Sequence, residues 1–454
     1  MIPAGVKNAV ILGLGISGMA ALRFLQDQGL NVAVSEFRPQ EKLSPQEQAL
    51  VQDLDLETGG HSEDFILTRD MIVPGPGIPL DLPVLQAARS AEIPIIGELG
   101  LAAGNISVPV IGVTGSNGKT TVTGLIGSLL SDCGYHPFVG GNIGTPLLQA
   151  LSGPVDYDVL VLELSSFQLD LSGAFRPDIA LLLNLSPDHL DRHGTMDRYV
   201  RAKQRIFSKQ RSDDYAILGG DDPLVMQQTS GIKAAVATFG HDRSHQACIV
   251  GDRISLDWRG RQSEFSLTAT TLNSKVNRLN AAAAILAVLQ LGASDSCIRK
   301  GLASFVPAEH RMTQVAELNG VVFINDSKAT NVGAMAAALE SCPPGTVLIA
   351  GGRDKQGDFT GLRELIKKNV AHMICIGEAT NLLQKTFGDL VEVESARDMQ
   401  AAVARGAALA GPGQTVLLAP GCASYDMFAD YGARGRAFTR AVHALVKTNE
   451  PASF

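Results

Sequence analysis

A run of small and polar residues, Thr114-Gly115-Ser116-Asn117-Gly118-Lys119-Thr120-Thr121, follows the apolar stretch Val108-Pro109-Val110-Ile111-Gly112-Val113 and opens a helical pattern. A strand that becomes a helix through such a loop points its backbone N–H groups into one concavity at the helix N-terminus, a ready anion site. In this reading Gly115, Ser116, Asn117, Gly118 and Thr121 form the cradle, Lys119 brings a cation to the outer phosphates, and Thr120 offers a hydroxyl to Mg²⁺. The pattern departs from the common P-loop at its start, where Val113 takes the place of the first glycine and Gly112 precedes it. A nucleoside triphosphate user is expected; the plainer alternative is a Gly-rich strand-to-helix turn.

At 454 residues the chain exceeds one ordinary core, and domains of roughly 100–200 residues make three the expected number. A net charge of −8 argues against a nucleic-acid partner, which needs clustered Lys and Arg. The six cysteines, Cys133, Cys248, Cys297, Cys342, Cys375 and Cys422, form no C-x-x-C pair and read as reduced thiols. The start, Met-Ile-Pro-Ala-Gly-Val-Lys-Asn, does not read as a signal peptide. The longest apolar segment, Ala281 to Leu291, is about half of the ~20 residues a bilayer span needs. A cytoplasmic protein without a membrane partner is expected.

Near the N-terminus, the strand pattern Asn8 to Leu12 runs into Gly13-Leu14-Gly15-Ile16-Ser17-Gly18 and then a helix from Met19 to Gln28. This G-x-G-x-x-G turn, followed by a second strand Asn31 to Val34 ending at Ser35-Glu36, predicts a Rossmann-type half-sheet. NAD, another nucleotide or no ligand at all remain open for it. Met71-Ile72-Val73 runs into Pro74-Gly75-Pro76-Gly77, a loop at a strand's carboxyl end, where ligands of such sheets sit. Further apolar runs at Val159–Leu162 and Ile179–Leu183 predict strands buried on both faces. Four more, at Val321–Ile324, Val347–Ala350, Met373–Ile376 and Val416–Ala419, predict a last parallel sheet. The fold class expected is α/β in three domains: an N-terminal Rossmann-like domain (1–97), a central P-loop ATPase with a parallel sheet (98–307), and a C-terminal Rossmann-like domain (308–454).

Polar groups gather at the ends of these strands. Glu163 stands where a Walker-B acid would hold Mg²⁺; it can also be a plain strand-end acid. Asp188-His189-Leu190-Asp191-Arg192-His193 and Tyr199-Val200-Arg201-Ala202-Lys203 read either as a functional cluster or as a charged surface helix after a polar turn. Asn277 and Asn280 precede an alanine-rich helix, with Asn280 as its N-cap or both amides reading an adenine edge. His310-Arg311, Asn325-Asp326-Ser327-Lys328-Ala329-Thr330-Asn331 and Gly351-Gly352-Arg353-Asp354-Lys355 are compact polar clusters. Arg311 has the planar fork that suits phosphate, and Asp326 with Lys328 suits an exposed polar site.

Together these strings resemble the Mur ligase family of ATP-dependent amide-bond-forming enzymes over nearly the whole chain. Gly140-Gly141-Asn142-Ile143-Gly144, Leu162-Glu163-Leu164-Ser165-Ser166-Phe167-Gln168-Leu169 and Ser424-Tyr425-Asp426-Met427-Phe428 resemble its D-glutamate-adding branch. The resemblance implies ATP-dependent addition of D-glutamate to UDP-N-acetylmuramoyl-L-alanine through an acyl phosphate, in the cytoplasmic stage of peptidoglycan synthesis, by a monomer. It implies two Mg²⁺ ions, one on Thr120 and Glu163, the other served by His189 and by Lys203 as an N-carbamate. Lys119 would contact phosphates, Asn277, Asn280 and Asp326 would seat ATP, and Arg311 would reach its phosphates. Asn142, Ser17, Glu36, Arg38 and Gly77 would hold the UDP-sugar. Lys328, Thr330, Lys355 and Ser424 would line the amino-acid site, with His189, His310 and Tyr431 also on the substrate side. Glu36 stands where the family often has Asp, and Tyr431 where it has Phe. The diaminopimelate- or lysine-adding branch and folylpolyglutamate synthase are the alternatives within the family. A P-loop switch or NAD-dependent regulator is the alternative outside it.

Overall fold

Short apolar runs closed by Gly, Pro or a polar turn set the strands in the computed structural model, which describes residues 2–153 and 156–449. The N-terminal sheet has four parallel strands, β1 (Asn8–Leu12), β2 (Asn31–Glu36), β3 (Leu56–Thr58) and β4 (Met71–Pro74), in the order β3-β2-β1-β4. Helix α1 (Ile16–Asp27) leaves the glycine turn and lies close on β1. A Cβ on Gly18 would fall 2.0 Å from the Gly13 carbonyl oxygen, so only glycine permits that approach.

The central sheet is larger than the sequence pattern predicts. Its strands are β5 (Val110–Thr114), β6 (Pro137–Gly141), β7 (Val159–Glu163), β8 (Ile179–Leu182), β9 (Tyr215–Gly219), β10 (Ala235–Gly240), β11 (Ala247–Val250), β12 (Arg253–Trp258) and β13 (Arg261–Ser266). They run in the order β13-β12-β11-β10-β9-β8-β5-β7-β6, parallel except for the β11–β12 and β12–β13 pairs. The P-loop opens helix α2 (Lys119–Asp132), whose Val122, Leu125, Ile126 and Leu129 join one core with the strands and with α3 (Lys275–Leu289). Truncating such a core leucine, Leu125→Ala for example, costs about 2–5 kcal/mol.

Two expectations are corrected here. Helix α3 begins at Lys275, so Asn280 lies inside it and is not its N-cap. The cysteines are not all thiols: α2 packs beside α4 (Asp295–Ser304), and Cys133 after the first is disulfide-bonded to Cys297 in the second. Their separation of 164 residues hides that adjacency in the sequence. The other four, Cys248, Cys342, Cys375 and Cys422, are buried thiols, as expected.

The chain divides into two compact units. The first holds both sheets above. The second is built on the chain from Val306 onward, with Ser186–Met196 and Ser274–Val276. Its sheet comprises β14 (Thr313–Leu318), β15 (Val321–Asn325), β16 (Thr346–Gly351), β17 (Val370–Ile376), β18 (Glu392–Ser395) and β19 (Thr415–Leu418). The order is β14-β15-β19-β16-β17-β18, with only β14 antiparallel to its neighbour. Helix α5 (Tyr431–Asn449) covers it by burying Phe438 and Val442 against Val347, Ile349 and Val416. Among the described residues no helix is long and apolar enough to cross a membrane.

Candidate active site

Strand register builds the candidate nucleotide site of the first unit. Glu163, the last residue of β7, pairs with Val113 on one side and Gly141 on the other. The segments that continue from those neighbours therefore reach its carboxylate from both sides. Thr120 Oγ1 donates to Glu163 Oε2 at 2.7 Å, and Asn142 Nδ2 donates to Oε1 at 2.8 Å. Glu163 is only 2% exposed. A hydroxyl beside a carboxylate is a hard-oxygen pair that suits Mg²⁺, an ion that keeps water and phosphate oxygens at its other positions. Among the described residues no three His, Cys, Asp or Glu side chains converge as a metal cage.

The loop itself is tied from several directions. Lys119 Nζ donates to the Gly115 and Ser116 carbonyls at 2.8 and 2.9 Å. Asn184, just past β8, accepts the Asn117 N–H at 2.8 Å and donates back to the Asn117 carbonyl at 3.1 Å. Gly118 adopts φ 84°, and a Cβ there would fall 2.6 Å from Asn280 Oδ1. Asn280 thus leans over the loop from α3, donating from Nδ2 to Asn277 Oδ1 at 3.1 Å.

Lys203 is not a surface lysine. It lies on helix Met196–Gln204, 2% exposed, with Nζ donating to the Gly115 carbonyl at 2.8 Å and sitting over the Tyr199 ring. The Tyr199 hydroxyl is hydrogen-bonded to Ser116 Oγ at 2.9 Å. Lys119, Thr120, Asn142, Glu163, Lys203 and Asn280 therefore form one group. Sequence reasoning gave no role to Asn184 or Tyr199; the first was signalled only by its place after a buried strand.

At the N-terminal sheet, Glu36 closes β2 and is buried beside the glycine turn. Its Oε2 accepts the Leu14 N–H at 2.7 Å, and Arg38 donates to both oxygens from its backbone N–H and guanidinium. Arg38 also reaches Glu47 at 2.8 Å. Burial pushes the Glu36 carboxyl up, but these hydrogen bonds outweigh it and hold the group at about 2. Ser17 is half-buried in the first turn of α1, and Gly77 is exposed in the loop after β4.

The remaining candidates belong to the second unit. His189 takes φ 54°, and Asp188 Oδ1 accepts its N–H at 3.0 Å. Asp188, to which the sequence reading gave no role, is a hub: Asn331 Nδ2 donates to it at 2.9 Å and Lys355 Nζ at 3.2 Å. Asp326 and Lys328 are not an exposed pair, as both are half-buried. Burial pushes the Asp326 carboxyl up to about 6, against the opposing charge of Arg311 and the Met312 N–H. Lys328 Nζ stacks on the Tyr431 ring, 3.8 Å from its centroid, and Thr330 lies two residues on in the same loop. His310 is buried at φ 64°; burial lowers its proton affinity, and its Nδ1 is 3.2 Å from Asn325 Nδ2. Ser424 is buried where the chain leaves β19.

A P-loop with a buried acid at the end of the neighbouring strand, preceded along the chain by a glycine-turn sheet and followed by a further α/β sheet, is the arrangement of a nucleotide-binding class of protein. Family models describe it directly: Mur ligase MurD-like, N-terminal domain over residues 7–97; Mur ligase middle domain over 113–288; and Mur ligase, glutamate ligase domain over 310–422. The chain belongs to the Mur ligase family. It is 45% identical to a UDP-N-acetylmuramoylalanine--D-glutamate ligase of Desulfotalea psychrophila, over 96% of this chain and 95% of that one. To the protein of the same name from Geotalea uraniireducens it is 39% identical, over 97% and 98%. Solved structures share the fold. A pseudomurein peptide ligase type C from Methanothermus fervidus superposes with TM-score 0.62 at 18% identity, covering 97% of this chain and 100% of that one. A MurF ligase from Thermotoga maritima in complex with ADP gives 0.61 at 18%, covering 98% and 96%.

Proposed function

We propose that this chain joins the amine of D-glutamate to the carboxyl group of UDP-N-acetylmuramoyl-L-alanine at the expense of ATP, in the cytoplasm and as a monomer. The observation that carries the reading is the Thr120–Glu163 contact beside Lys119, in a chain that aligns along nearly its whole length with ligases of that name. Residues 1–97 would hold the uridine nucleotide, 98–307 ATP, and 308–454 the amino acid.

Thr120 and Glu163 would hold one Mg²⁺, and His189 with a carbamylated Lys203 a second. Bound Mg²⁺ supplies positive charge that lets a carboxylate approach polyphosphate. Lys119 does the same from the protein, donating to phosphate oxygens in place of loop carbonyls. Asn277, Asn280 and Asp326 would seat ATP, with Arg311 on its phosphates. Ser17, Glu36, Arg38, Gly77 and Asn142 would hold the UDP-sugar; His310, Lys328, Thr330, Lys355, Ser424 and Tyr431 would serve the incoming amino acid.

The substrate carboxylate attacks the γ-phosphorus, the bond to the bridging oxygen breaks, and ADP leaves. The acyl phosphate now carries phosphate as leaving group. The amine attacks that carbonyl, loses a proton, and the tetrahedral intermediate expels phosphate to leave the amide. Exclusion of water protects the acyl phosphate. Calorimetric titration tests the substrate side: the UDP-sugar should bind more tightly than NAD, and the reverse order would overturn the assignment of the glycine turn.

A further inference from the structure

Among the described residues Arg434 is one of the largest fully buried side chains, at 0% exposure, and the chemistry above gives it no part. It lies in the first turns of α5, and all its acceptors are carbonyl or hydroxyl oxygens. Nε donates to Ser327 Oγ at 3.0 Å, Nη2 to the Ser327 carbonyl at 2.8 Å, and Nη1 to the Cys422 and Gly351 carbonyls at 3.1 and 3.4 Å. These acceptors come from the carboxyl ends of β15, β19 and β16, three consecutive strands of the sheet.

Burying a guanidinium against neutral acceptors is expensive, and an apolar side chain of similar volume would anchor a helix at lower cost. What an apolar side chain lacks is the planar fork that pins several oxygens at once. The pinned points are those from which candidate substrate groups project. Ser327 precedes Lys328, and its Oγ, which accepts from Arg434, donates to the Tyr431 carbonyl at 2.7 Å. Tyr431 in turn carries the Lys328 ammonium on its ring. Cys422 leads two residues on to Ser424, and Gly351 into the loop that bears Lys355.

We propose that Arg434 is a positioning residue for the amino-acid site, fixing Lys328, Tyr431 and Ser424 through Ser327 and the strand-end carbonyls without touching substrate. This rests on the ligase reading above. Lysine at 434 keeps the charge but cannot span three strand ends, and alanine at 327 removes the link to Tyr431.

The test uses the full-length enzyme and compares Arg434→Lys and Ser327→Ala with wild type. Melting temperature, kcat, and KM for D-glutamate and for UDP-N-acetylmuramoyl-L-alanine are measured. Both variants should raise KM for D-glutamate, Arg434→Lys by about tenfold, the scale of one lost charged hydrogen bond. The KM for the UDP-sugar should stay within about twofold of wild type, since that substrate has no group in this network. A folded variant that keeps the wild-type D-glutamate KM, or shifts both KM values together, overturns the proposal. If Arg434→Lys does not fold, Ser327→Ala alone decides by the same criterion. A wild-type chain that releases no phosphate with D-glutamate sinks the ligase reading and this proposal with it, whereas an active wild type with unshifted variants sinks the positioning role alone.

Discussion

Lys119 and Lys203 direct their ammonium groups at one oxygen: each donates to the Gly115 carbonyl at 2.8 Å. Two like charges on one acceptor repel, and the burial of Lys203 weakens the screening that water would give. Arrival of a polyphosphate would relieve the repulsion from one side. Conversion of Lys203 to an anion would relieve it from the other. The two lysines therefore carry separable predictions.

Lys119→Ala removes the cation expected to meet the phosphates. Phosphate release should fall by at least about a hundredfold, the scale of a lost transition-state donor. Circular dichroism and the melting temperature should stay close to wild type, because the ammonium donates to loop carbonyls rather than to the core. Turnover above a few per cent of wild type would remove Lys119 from this role.

Lys203 should be carbamylated in the active enzyme. The neutral amine adds to the carbon of CO₂ and loses a proton, giving an anionic oxygen ligand of the kind Mg²⁺ prefers. Lys203→Ala should be inactive, and a short carboxylate in the assay should restore part of the activity. The deciding observation is a high-resolution map, or an intact-site mass measured without acid. A plain lysine in the fully liganded, active enzyme contradicts the prediction.

Glu36 predicts a pH dependence of stability. Its carboxyl is held at about 2, below the ordinary 4.5, so its ionised form favours the folded state. That contribution is fully present above about pH 4.5 and is lost as pH falls through 4.5 towards 2. Urea midpoints of wild type and Glu36→Gln should differ most near neutrality and converge as the medium is acidified. A gap independent of pH would place the stabilisation elsewhere.

The Cys133–Cys297 link closes a segment of 164 residues and restricts the unfolded chain. Bonds of this kind typically contribute about 2–4 kcal/mol. Reductant should lower the melting temperature of the oxidised wild type and leave Cys133→Ser unchanged. Identical melts with and without reductant, together with six titratable thiols, would show that the link does not form.

The strands that carry the site were legible because each is an apolar run closed by a polar or glycine-rich turn. β1 forms with the expected bounds, and Glu163 and Thr120 come into hydrogen-bond contact because β5 and β7 are register neighbours. What escaped depends on partners distant in sequence. β12 alternates exposed and buried residues, so it offers no continuous apolar run. The segment before Ala281 is polar, so α3 reads as starting late, and Asn280 looks like a cap when it is an interior residue facing the P-loop. Arg434, within Gly-Ala-Arg-Gly-Arg, drew no reading from the sequence; only the convergence of three strand ends shows why it is buried.

Phosphate release from ATP, measured with each substrate omitted in turn and with product mass determined, tests the account's central claim most directly. Rapid release should require both UDP-N-acetylmuramoyl-L-alanine and D-glutamate, and the product mass should equal the two joined with loss of one water. Slow hydrolysis indifferent to both substrates, or faster release with a different amino acid than with D-glutamate, would contradict it.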